Sequence, residues 1–145
     1  MVVRLTRSSD APAVWRMLWD AREAIPITSD TGGSVVPPSI RDLCATRQGW
    51  VSEADGQVVA ALMRWAAEVR YLVVADGHRG EGHSQALMRR AKRWAASARM
   101  ESLEAKAKST NAPILAVLRR EGFIPDPWAV NDGWDHFVWE TRRVP

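Results

Sequence analysis

Residues 71–88, YLVVADGHRGEGHSQALM, constrain this chain more than any other stretch. The apolar run Tyr71, Leu72, Val73, Val74 predicts a strand. A glycine-rich basic turn follows, Arg79-Gly80-Glu81-Gly82. Beyond it, Ala86, Leu87, Ala91, Trp94 and Ala98 recur at the spacing of an inner stripe, which predicts a helix over residues 84–98. Strand, glycine turn and helix start in that order gather unpaired backbone N–H groups around one point, and the helix dipole favours an anion there. Phosphate is the ligand that such a point suits.

The common nucleotide signatures are absent, since neither G-x-G-x-x-G nor G-x-x-x-x-G-K-[ST] occurs. What stands here is Arg79-x-x-Gly82-x-Ser84. It resembles the Q/R-x-x-G-x-G/A loop with which the GNAT N-acetyltransferase family grips the diphosphate of acetyl-coenzyme A. Ser84 replaces the closing glycine or alanine, which fits if it is a first-turn helical residue at negative φ. A second stretch resembles the family's N-x-x-A-x-x-x-Y-x-x-x-G-F. Asn111, Gly122 and Phe123 match it, whereas Ile114 replaces the alanine and Leu118 the tyrosine.

Composition narrows the alternatives. With 145 residues, 46% of them apolar, the chain is long enough to bury one core and reads as one domain over residues 1–145. Its one cysteine, Cys44, excludes an intramolecular disulfide, fits a reducing cytoplasm and reads as a small core residue. No signal peptide is expected ahead of Arg4 and Arg7, and no stretch reaches the length of a membrane span. Twenty basic against 17 acidic residues give a formal charge of +3. The basic residues are scattered, with small clusters at Arg89, Arg90, Lys92 and Arg93 and at Arg119-Arg120. That pattern reads as solvated faces more readily than as a nucleic-acid footprint.

In chain order, residues 2–6 alternate weakly as a first strand. Ser8, Ser9 and Asp10 offer caps, and Pro12 an early helical position, for an amphipathic helix marked by Val14, Trp15, Leu18 and Trp19. Trp15, Trp19, Trp65 and Trp94 are expected in core or half-buried positions. A polar loop over residues 25–36, bent at Gly32-Gly33, leads to a short helix with Ile40, Leu43 and Cys44 inward. Residues 50–52 and 57–66 flank Asp55-Gly56, a strong hairpin signal. Leu103, Ala105 and Ala107 alternate as a fifth strand, and residues 111–120 form a further helix with Pro113 in its first turn and Gly122 at its stop. After the turn Asn131-Asp132-Gly133, Phe137 and Trp139 share one face of a last strand, His136 and Val138 the other. The fold class is α+β, a mixed, mostly antiparallel sheet of six or seven strands flanked by helices.

The resemblance implies a coenzyme wedged between the fourth and fifth strands. Backbone groups of Leu72, Val73 and Val74 would pair with the pantetheine arm, and Gly80, Glu81, Gly82, His83 and Ser84 would surround the diphosphate, with Arg79 adding charge. Asn111 would cap its helix or touch the pantetheine arm. It further implies acetyl transfer to a primary amine in a ternary complex, the acceptor being a small molecule or a peptide, with a homodimer as a second partner. Such transfer needs a neutral amine, a stabilised oxyanion and a leaving thiolate. The Val74 N–H is the oxyanion candidate, and Glu68 the base, ahead of Glu53, which is expected in a hairpin turn. Leu118 has no proton to give, so the thiolate leaves without a side-chain acid or the enzyme uses a different geometry; a protein that binds acyl-coenzyme A without catalysis is the second reading. A nucleic-acid-directed protein is the third reading. His78 and His83 flank the turn, but no Cys or His cluster in the sequence completes a metal site. For the acceptor, Trp128, Trp134 and Trp139 would form one wall, the 25–36 loop the other, and Asp30 or Asp132 would meet a cationic amine.

Overall fold

The computed structural model describes residues 1–22, 39–129 and 131–141. The 25–36 loop, with Gly32, Gly33 and Asp30, lies outside them. Strand β1 is Val2–Leu5, and a short 3-10 helix at Ser8–Asp10 leads into α1 (Ala11–Asp20). There follow α2 (Ile40–Ala45), β2 (Gly49–Ala54), β3 (Gln57–Trp65) and β4 (Glu68–Val74). The chain continues through α3 (His83–Ser97), β5 (Ser102–Ala107), α4 (Ala112–Arg120), β6 (Ile124–Pro125) and β7 (Asp135–Glu140). The strands make one seven-stranded sheet in the order β1-β2-β3-β4-β5-β7-β6. Every neighbouring pair is antiparallel except β4 and β5.

The central strands are apolar on both faces, as strands covered by helices on both sides must be. On β3, Ala60 and Leu62 point into a core shared with Leu87, Met88 and Ala91 of α3. Ala61 and Met63 point the other way, onto Val14 and Leu18 of α1 and Leu43 of α2. The β2–β3 hairpin turns at Asp55-Gly56 with φ of 52° and 76°, the paired left-handed conformations of a type I′ turn. At the opposite end of β3, Arg64 lies over the Trp94 ring at 3.5 Å, fastening α3 to the sheet. Cys44 is buried, which pushes its thiol up to about 11.

Several expectations need correcting. Trp15 and Trp19 are 46% and 51% exposed, because Val14, Met17 and Leu18 form the inner stripe of α1. The two indoles stack on each other outside, with centroids 6.3 Å apart. On α3 the inward residues are Leu87, Met88, Ala91 and Ala95, and Ala98 is exposed beyond the helix end. Trp139 belongs to the core beside Leu103 and Phe137, so it cannot form an acceptor wall. Glu53 is a β2 residue, not a turn residue, and its carboxylate takes a hydrogen bond from Arg4 Nε at 2.8 Å.

Among the described residues, no helix is long and apolar enough to cross a membrane.

Candidate active site

The parallel ladder between β4 and β5 contains only two residue pairs, Glu68↔Glu104 and Val69↔Ala105. Past them the strands part. The cause lies on the other side of β4, where pairing with β3 jumps from Met63↔Tyr71 to Arg64↔Val69 and leaves Arg70 as an extra residue. A bulge of this kind bends the strand and increases its twist, which carries β4 away from β5. The Ala75 N–H donates to Val59 O on β3. Strand alternation therefore turns the N–H and C=O groups of Leu72 and Val74 the opposite way, toward the split.

The split opens into a cavity of about 480 Å³. Leu72, Val73 and Val74 line it along β4, and Asn111, Ile114 and Val117 line it along α4. Its far end is the turn before α3, where Arg79, Gly80, Gly82, His83 and Ser84 all reach it. Gly82 is the N-cap of α3 at φ 90°, a left-handed conformation that side chains with a Cβ resist. No side chain caps the helix there, so its first N–H groups are left for a ligand. Ser84 is a first-turn helical residue, as the motif required.

The charged residues of the turn are paired. Arg79 lies 3.4 Å from Asp76, both well exposed. Glu81 Oε1 accepts from His78 Nδ1 at 2.8 Å and from His83 Nε2 at 3.1 Å, and these hydrogen bonds, His78's first, hold its carboxyl below the usual range. The third group that the two histidines lacked in sequence is thus Glu81, and the three ligating atoms lie within 4.8 Å of one another. His83 Nδ1 in turn meets Ser52 Oγ at 2.6 Å. Of these residues only Ser52 has no mark in the sequence, because a lone serine in a strand carries no signal of what crosses the sheet to meet it.

Asn111 caps α4, its Oδ1 accepting from the Ile114 N–H at 3.3 Å, and it also lines the cavity. Leu118 is 1% exposed and packs into the α3-side core. Tyr71 packs on the α1 side of the sheet. Glu68 starts β4 at the closed end of the split, 3.3 Å from Arg70. It stands six residues from Val74, about 20 Å along a strand, so these two do not converge on one atom. Asp132 is occupied by His136 Nε2 at 2.8 Å and by the Trp134 N–H at 3.0 Å, and the His136 bond keeps its carboxyl below the usual range. Lys106 and Lys108 lie over the Trp134 ring, and Trp128 is 91% exposed.

The profile of the acetyltransferase (GNAT) family matches residues 14–123. No curated protein sequence matches the chain. Among solved structures, the N-acetyltransferase from Staphylococcus aureus Mu50 superposes with a TM-score of 0.72 at 18% identity, over 97% of this chain and 98% of that one. YncA from Salmonella typhimurium, described as a putative acetyltransferase with its cofactor acetyl-CoA, gives 0.70 at 17% identity over 97% and 94%. Rv2747 from Mycobacterium tuberculosis, in complex with CoA and NLQ, gives 0.68 at 18% over 97% and 99%. At such identities the structures speak for the fold, and the family profile for membership. The chain belongs to the GNAT family of acetyltransferases, enzymes that draw the acetyl group from acetyl-coenzyme A.

Proposed function

We propose that the chain acetylates a primary amine of a small molecule or peptide by direct transfer, with coenzyme and acceptor bound together. The observation that carries this reading is the β4–β5 ladder, which stops after Val69↔Ala105 and leaves the backbone of Leu72 and Val74 facing a cavity that ends at Gly82. An extended pantetheine arm fits there as a strand would, with amide groups for the free β4 edge. The diphosphate fits the turn of Gly80, Glu81, Gly82, His83 and Ser84, with Arg79 at its rim and Asn111 beside the arm.

The thioester carbonyl then accepts from a cleft-facing N–H of β4. Val74 stands next to the diphosphate turn and Leu72 deeper, toward Glu68. A pantetheine arm separates diphosphate from thioester, which favours Leu72 as the donor that steadies the oxyanion. From Leu72, Glu68 is four residues away and serves as base through water rather than by contact. The amine attacks the carbonyl carbon, the C–S bond breaks, and coenzyme A leaves as the thiolate. A thiol of pKa about 8.5 leaves adequately without a side-chain acid. That is consistent with Leu118, an apolar residue in the core.

On the acceptor side, the occupied Asp132 and the lysines over Trp134 argue against a cationic pocket-filler and for an amine that arrives neutral. Trp128 is the surface that a second copy of the chain would cover. The single buried cysteine suits a reducing cytoplasm.

The test is thiol release from acetyl-coenzyme A against a panel of amines, amino acids and peptide N-termini. Release that depends on one class of acceptor supports the reading. Coenzyme binding without release on any acceptor would favour a binding protein instead.

A further inference from the structure

We propose that Ser52, His83, Glu81 and His78 form a hydrogen-bonded brace that holds the diphosphate turn in its binding shape and keeps the Glu81 carboxylate away from the anion. The proposal rests on the coenzyme reading above and assigns the four side chains a positioning role.

Ser52 is fully buried in β2, opposite Val3 of β1 and Ala60 of β3, where a bare hydroxyl would cost free energy. Among the described residues its hydroxyl meets His83 Nδ1, 2.6 Å away and on a residue only 3% exposed. The register of β2 against β3 shifts directly after Ser52, a bulge of the kind that re-aims a side chain. From His83 the chain of contacts passes through Nε2 to Glu81 Oε1 at 3.1 Å, and the same oxygen receives His78 Nδ1 at 2.8 Å. A carboxylate only accepts, so both imidazole nitrogens that face Glu81 carry protons. In the neutral His83 ring the other nitrogen is then an acceptor, and the Ser52 hydroxyl donates to it.

Two features of the turn need such a brace. Gly82 is the N-cap at a left-handed φ of 90° with no side chain capping the helix, so the aim of its first N–H groups is set from outside. A carboxylate beside a diphosphate would also repel it, and two N–H donors on one oxygen turn that charge aside. The same three atoms have the spread of a metal site. However, the positive end of a helix with Arg79 nearby favours anions over cations.

The decisive variant is Glu81→Gln. Removing a negative charge from an anion site would tighten binding by Coulomb attraction alone, whereas loss of the brace weakens it. We expect the dissociation constant of acetyl-coenzyme A, read by calorimetry, to rise about fivefold, and about tenfold in His83→Ala, the worth of one charge-assisted bond. His83→Asn, which keeps the Ser52 contact, and His83→Gln, which keeps the Glu81 contact, should each recover part of that loss. Independently of any coenzyme, nitrogen NMR of the free protein should find His83 protonated at Nε2 alone, and Ser52→Ala should disturb that signature. Unchanged or tighter binding in Glu81→Gln, a His83 ring protonated at Nδ1 alone, or stoichiometric Zn²⁺ binding lost in His78→Ala would each overturn the brace. Failure of the unmodified protein to bind coenzyme would instead sink the functional reading, with the NMR result still deciding the brace.

Discussion

The two ends of the β4–β5 split are held by different kinds of contact. At the α3 end, backbone geometry does the positioning: Gly82 in a left-handed conformation, a helix start without a side-chain cap, and a buried Ser52–His83 bond beneath. At the end toward Glu68, the site depends on where two strands part and on one carboxylate paired with Arg70. Backbone N–H groups cannot be substituted away, so side-chain changes at that end act through the aim of the turn, at Gly82 by its conformation and at Ser52, His83 and Glu81 by their hydrogen bonds. At the other end, transfer as proposed would rely on Glu68 and on an acceptor. If the turn binds coenzyme and the Glu68 end serves transfer, substitutions should separate the two.

The largest effect should come from Gly82→Val. A branched side chain resists φ near 90°, and its Cβ meets no protein atom closer than Met1 Cε at 4.0 Å, so the penalty falls on conformation and on the diphosphate. Acetyl-coenzyme A affinity should fall about 100-fold by calorimetry, equivalent to about 2.7 kcal/mol. Intact affinity would move the anion away from the turn.

Glu68→Gln should instead leave coenzyme affinity alone and lower kcat by about 100-fold, flattening its rise with pH. A pH profile like that of the unmodified protein would return Glu68 to a plain partner of Arg70.

Away from both ends, Asp10→Asn should move stability and neither of the other readouts. Arg4 donates two hydrogen bonds to Asp10, at 2.8 and 2.9 Å, and the Arg7 N–H a third at 2.8 Å. Burial alone would push the Asp10 carboxyl up, but these bonds outweigh it and hold it below its usual value. A depressed carboxyl stabilises the fold above its unfolded value of about 4 and loses that contribution as pH falls below it. The variant should lose about 2 kcal/mol at pH 7 by denaturant titration, with the difference shrinking in acid.

Leu118→Tyr tests whether the family's tyrosine could simply be restored. Leu118 is packed in the core, so a larger residue should cost about 1–2 kcal/mol without raising kcat. The smallest effect belongs to Arg79→Ala. Its guanidinium is 62% exposed and, among the described residues, paired with Asp76 alone, so affinity should drop about threefold, and less at high salt.

The strand–turn–helix unit was legible because its signals are local: an apolar run, two glycines and a 3.6-residue stripe. Asp55-Gly56 and Asn111 were legible for the same reason. The orientation of α1 was not, since Trp15 and Trp19 are apolar by type yet stand beside the true stripe of Val14, Met17 and Leu18. Trp139 and Trp128 look alike in sequence, and only the register of β7 against β5 puts the first inside. The brace joins residues 31 positions apart across the sheet, and no local pattern announces such a contact. Likewise, the split itself arises from the Arg70 bulge, and a one-residue slip between strands leaves no mark in composition.

The most direct measurement is calorimetric titration of the folded, unmodified protein with acetyl-coenzyme A, repeated with free coenzyme A. A single site of micromolar affinity for both, weakened about 100-fold in Gly82→Val, is the predicted result. No binding to either ligand by a protein shown to be folded would contradict the assignment of the turn and of the split that leads to it.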